Sequence, residues 1–227
     1  MPSRRLDASF HSVSKFDCVG EDSADENARG FVRHVGLFAD DRENVSSGDV
    51  VNVAHMGPPL ENPGRMPVHV AGSAALTSDE MGRVERFLAE LELERDAQKI
   101  RSTWAVAEYV VRPHVRDAVS KRGRKRFRRF SCAGLVIEAY KDAGLNFIET
   151  DEAKLPNVDL DRILETYPEL EGRSRPLLSR LGLEGEGPWP VVLPGYVFHA
   201  LDRSPEAIRD QPPYVPSRGD EFFPRRT

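Results

Sequence analysis

The order of hydrophobic patterns along the chain predicts an α+β domain, a small antiparallel sheet packed against helices. Two short runs rich in β-branched and aromatic residues, 31–39 and 50–56, flank a turn-forming stretch. A run with apolar residues spaced by three and four follows from Ser78, and a second one follows near position 131. Strands first and helices afterwards is the order of an α+β fold.

Phe31 to Ala39 reads as a strand, and Asp40 to Asp49, with Asn44, Ser46, Ser47 and Gly48, as the turn after it. Val50 to Met56 is the second strand of an antiparallel hairpin. Residues 57–67 hold four prolines and two glycines and read as a loop, with Val68 to Ala71 as a third, short strand. From Ser78, an N-cap followed by Asp79 and Glu80, the residues Met81, Val84, Phe87, Leu88 and Leu91 form one face of a helix reaching about Lys99. Trp104 to Val111 is apolar without a decisive period. From Arg112 to Arg129 there are nine Lys or Arg against Asp117 alone. Ser131 then caps a helix whose face is Leu135, Val136, Ala139, Tyr140 and Ala143, stopped by Gly144. Leu155-Pro-Asn-Val-Asp159 precedes a short helix through Ile163 and Leu164. Three regions follow: a polar N-terminal segment (1–29), a central domain (30–185), and a Pro- and aromatic-rich C-terminal arm (186–227) that is extended and packs by its aromatics.

The 227 residues are 39% hydrophobic and 30% charged, which excludes collagen, coiled coil and full disorder. A net charge of −5 argues against a generally basic nucleic-acid binder. No apolar run is long enough for a secretory signal or a membrane span, so the expected location is the cytoplasm, with reduced thiols. The only cysteines are Cys18 and Cys132, too few for a disulfide scaffold or a Cys-only metal site.

Cys132 carries the chemistry. At the start of a helix its sulfur lies near unpaired backbone N–H groups and the positive end of the helix dipole, and seven Lys or Arg between 121 and 129 act in the same sense. All three favour the thiolate; a structural cysteine packed like an alanine is the other reading. His34, on the first strand, shares a face with Val32, Gly36 and Phe38, and becomes a general base if Cys132 docks there. The second strand offers a third group to orient the imidazole, Asn52 or His55. Alternation puts these two on opposite faces, and Asn52 is the one expected beside His34. The basic run, with Arg124, Lys125, Arg126 and Arg128 at its centre, reads either as a solvated loop or as a rim that receives an anionic group of the substrate. His11, His69, His114 and His199 show no metal-site spacing, and neither a metal nor another cofactor is called for.

Phe130-Ser-Cys-Ala-Gly-Leu-Val-Ile-Glu-Ala-Tyr-Lys-Asp-Ala-Gly-Leu145 resembles the nucleophile helix of papain-like NlpC-type amidases. The His segment, Arg33-His-Val-Gly-Leu-Phe-Ala-Asp40, precedes the cysteine by 98 residues. That order is similar to the circularly permuted branch, the YiiX-like and lecithin–retinol acyltransferase-like proteins. Val50-Val-Asn52 resembles the family's second strand, and Leu155 to Leu160 its Pro-containing segment, so the resemblance spans about residues 30–165. Two positions depart from the pattern. Ala133 stands where a serine usually follows the cysteine, and the Gly-x-x-Tyr element is missing, with Tyr109 as a stand-in.

The resemblance implies a permuted papain-like fold and a thiol-dependent hydrolase or acyltransferase acting on an amide or ester of a peptide, conjugate or acyl lipid. In it Cys132 attacks, His34 exchanges the proton, Asn52 orients the imidazole, and the Cys132 backbone N–H meets the oxyanion. The alternative is a non-enzymatic binding module that holds an anionic partner with the basic segment.

Overall fold

Alternation along two central strands sorts their side chains between two cores. Leu37 and Ala54 lie with Cys18 and the helices in the larger one; Phe38 and Val53 lie with Val19, Leu6, Val13 and Val45 in the smaller one. The computed structural model describes residues 3–9, 11–22, 30–41, 44–57, 60–97, 110–119 and 126–224. Its sheet contains β1 (Arg4–Arg5), β2 (Cys18–Asp22), β3 (Val32–Phe38), β4 (Val50–Met56), β5 (Leu60–Pro67) and β6 (Val70–Gly72). The spatial order is β1-β6-β2-β3-β4-β5, with every neighbouring pair antiparallel. This is the α+β arrangement expected.

Helix α1 (Ser78–Ala97) packs against α2 (Cys132–Asp142), and α2 lies on β3 and β4. Eight residues of α2 are buried, from Cys132 through Ile137 with Ala139 and Tyr140. Each of Leu135, Val136 and Ile137 then contributes roughly 1.5–3 kcal/mol of hydrophobic stabilisation. Ser131 is the N-cap: its backbone is extended and its Oγ accepts from Gly134 N at 2.9 Å. The Ser131 N–H donates to His114 O, and a Cβ on Gly134 would lie 2.1 Å from that same oxygen. Only glycine lets the chain at His114 cross the first turn of α2 so closely.

Four segments differ from the sequence reading. Residues 57–67 are not all loop, because β5 occupies most of them. As the outermost strand it tolerates Pro63, whose missing N–H interrupts no interior ladder. The N-terminal segment is not separate, since β2 lies inside the sheet between β6 and β3. The basic segment forms a hairpin of β7 (Val115–Val119) and β8 (Arg126–Phe130), pairing Val115 with Phe130 and Ala118 with Phe127. Finally, the C-terminal arm is partly helical. After α3 (Leu160–Thr166) and α4 (Arg175–Arg180) come α5 (Pro194–Leu201) and α6 (Pro205–Asp210), each with proline in its first turn, where no N–H is needed. The arm does pack on the domain. Tyr196, Phe198 and Phe223 are buried, and Asp220 accepts from the Tyr214 hydroxyl at 2.7 Å.

Replacing Ser131 by Ala should lower the urea-unfolding free energy by about 1 kcal/mol through the lost cap. Gly134→Ala should cost more, about 2–3 kcal/mol, because the obstacle is backbone and cannot rotate away. Equal effects for the two variants would show that the His114 crossing is not tight.

Candidate active site

The helix start delivers Cys132 to the first turn of α2, fully buried, with its Sγ 3.8 Å from the Tyr167 hydroxyl. Tyr167 closes α3 and is itself buried. It is a site residue that the sequence reading missed. Tyr109, the stand-in considered there, lies outside the described residues. Neither cysteine is in a disulfide. The Cys18 thiol is pushed well up, first by burial and then by the charges of Asp17 and Cys132, which makes it a poor nucleophile.

At one end of the sheet, where β3 begins and β4 ends, His34 Nε2 and His55 Nδ1 are 2.7 Å apart. The rings meet edge to face, with centroids 5.0 Å apart. This corrects the expected third residue. Leu37 pairs with Ala54 and Phe38 with Val53, so the same register continued puts His55 beside Gly36, on the face of His34, Phe38 and Val53 and opposite the face on which the Cys132 helix lies. Asn52 falls on the other face, and its amide donates to Asp40 Oδ2 at 2.8 Å. Alternation separates Asn52 from His55 as expected, but it breaks at the β2–β3 bulge, where Val32 joins Val35 in the larger core instead of sharing a face with Phe38. The register that decides which residue alternation selects left no trace in the sequence.

Three glycines enclose the His55 side chain. A Cβ on Gly64 would lie 2.4 Å from Nε2, one on Gly57 3.1 Å from Cε1, and one on Gly36 3.0 Å from the His55 Cβ. On the far side of the ring, His55 Nε2 is 3.5 Å from Glu61 Oε2, longer than a good hydrogen bond. Burial, and then the charge of His34, pushes His55 down to about 4, against the pull of Glu61. His55 is therefore a neutral ring near pH 7. One of its nitrogens can then accept the proton that His34 Nε2 donates.

The basic residues do not gather into a described rim. Arg128 pairs with Glu94 at 3.2 Å and lies 5.0 Å over the Phe87 ring, tying β8 to α1. The side chain of Arg126 is outside the described residues, as are Arg124 and Lys125 altogether. Among the described residues no cluster of three or more His, Cys, Asp or Glu could hold a metal ion, and no helix is long and apolar enough to cross a membrane. Comparisons of the chain with family models, with curated proteins and with solved structures return no match.

The low folded value of His55 makes a pH prediction. The unfolded chain takes up this proton near pH 6.5 and the folded protein only near 4, so stability is complete above about 6.5 and is lost as pH falls toward 4. The loss is about 3 kcal/mol. Urea unfolding at pH 7 and pH 4 should show His55→Asn losing less stability on acidification than the parent, by roughly that amount. An identical pH dependence in the two proteins would contradict the burial of a neutral ring.

Proposed function

We propose that this protein is a thiol-dependent hydrolase or acyltransferase acting on an amide or ester bond, built on a permuted papain-like fold. The support for this reading is the His34–His55 hydrogen bond on two strands whose opposite face carries the Cys132 helix. The bulge beside His34, which puts both Val32 and Val35 in the larger core, is where the His34 ring would turn toward the sulfur. A nucleophile at a helix start, a base on a neighbouring strand and a group that orients the base are the parts nucleophilic catalysis needs.

With Nε2 turned to His55, proton exchange falls to His34 Nδ1, which takes the Cys132 proton. The reading requires Sγ and Nδ1 to meet at the end of β3. The thiolate attacks the substrate carbonyl, while His34, now imidazolium, donates its Nε2–H to His55 Nδ1. His34 Nδ1 then returns the proton to the leaving amine or alcohol, and water or an acceptor alcohol breaks the thioester. Negative charge on the carbonyl oxygen is met by the Cys132 backbone N–H, with the Tyr167 hydroxyl as a second donor beside the sulfur. The substrate is a peptide, an amide-linked conjugate or an acyl lipid, and the working compartment is one, such as the cytoplasm, that keeps both thiols reduced. The binding-module alternative is weaker, because Arg128 is engaged by Glu94 and two aromatic rings rather than facing a ligand.

Alkylation by iodoacetamide, followed by peptide mass spectrometry, tests the thiol. Cys132 should react at pH 6–7, well ahead of Cys18, and His34→Ala should shift its profile to higher pH. A profile centred near the ordinary thiol value of about 8.5 and unmoved by His34→Ala would mark Cys132 as structural.

A further inference from the structure

We infer that Glu61 is a positioning residue, the fourth member of a line running Glu61, His55, His34 and Cys132, and that its carboxylate sets which nitrogen of His55 carries the proton. The inference rests on the proposed thiol chemistry and goes beyond it by assigning a residue that no strand pattern singled out.

A neutral imidazole carries one N–H, and the two possible tautomers have opposite consequences here. With the proton on Nε2, His55 presents a lone pair at Nδ1 and accepts the Nε2–H of a protonated His34. With the proton on Nδ1, two N–H groups would face each other across 2.7 Å, and an imidazolium at His34 would be opposed rather than supported. Whatever faces His55 Nε2 therefore decides the matter. That atom is buried without a hydrogen-bond partner, and the charged group facing it is the Glu61 carboxylate, 3.5 Å away. An ionised carboxylate only accepts, so it selects the Nε2–H form. His34 from β3 and Glu61 from β5 are the titratable groups that act on the ring.

The backbone is arranged for this contact. β4 and β5 pair Val53 with Gly64 but His55 with Glu61, a shift of one residue within two positions. In an unshifted ladder Asn62 would stand opposite His55, and its amide could donate as readily as accept. The bulge substitutes a carboxylate for that ambivalent group. Gly64 then closes over both partners, since a Cβ there would lie 2.4 Å from His55 Nε2 and 2.8 Å from the Glu61 Cβ. Ring and carboxylate thus share one glycine-floored slot. The outer side of the Glu61 side chain is half exposed, so substitutions there need not disturb the core.

The experiment compares Glu61→Ala and Glu61→Lys with the parent in two readouts. Nitrogen NMR of histidine-labelled protein near pH 7 reports the His55 tautomer, and iodoacetamide at pH 6 reports the reactivity of Cys132. The parent should show Nε2–H at His55. Alanine should give a mixture. Lysine, which only donates, should move the proton to Nδ1 and slow alkylation by roughly tenfold or more, as a wrong tautomer does in other histidine relays. A tautomer unchanged in both variants overturns the role of Glu61, whatever Cys132 does. A tautomer that inverts while Cys132 reacts at the parental rate overturns the link from the histidine pair to the thiol, and with it the positioning role.

Discussion

Leu37 pairs with Ala54 and Phe38 with Val53, and from that register the contents of the site follow. One residue of slip would send His55 to the opposite face and put Ala54 or Met56 opposite Gly36, with no second imidazole beside His34. The register is held from both sides of the sheet, because each pair belongs to a different core. Hydrophobic packing on two faces thereby specifies a polar contact at the sheet end that contributes little to burial.

The glycines show what that contact demands. Gly36, Gly57 and Gly64 come from three positions on one hairpin system, and each leaves out a side chain whose first carbon would press on His55 or its partner. A buried ring with one nitrogen bonded to histidine and the other facing a carboxylate cannot be relocated without stranding a polar atom. At the helix end the same economy of space holds. Gly134 admits the carbonyl of His114, Ser131 satisfies the first turn, and Tyr167 covers the sulfur.

Much of this was legible in the sequence. β3, β4, the cap at Ser131 and the helix behind Cys132 announce themselves by period and by capping chemistry. What was hidden depends on pairing between distant segments. β2 is too short and too polar in its flanks to declare itself. β5 carries Pro63 and Gly64, which read as loop until its position at the sheet edge is known. His55 and Glu61 depend on a register and on a bulge, neither of which leaves a periodic trace. Tyr167 reaches the sulfur from 35 residues away along the chain. The prolines of the C-terminal arm suggest an extended chain, although Pro194 and Pro205 start helices.

On the proposed function, the His34–His55 pair activates the Cys132 thiol for acyl transfer. Incubation with p-nitrophenyl acetate tests it most directly, with intact-protein and peptide mass spectrometry to locate the acetyl group. The account predicts a burst of nitrophenolate and one acetyl group on Cys132, lost in Cys132→Ser and strongly slowed in His34→Ala. Acetylation confined to lysines, or labelling of Cys132 at an unchanged rate without His34, would contradict it.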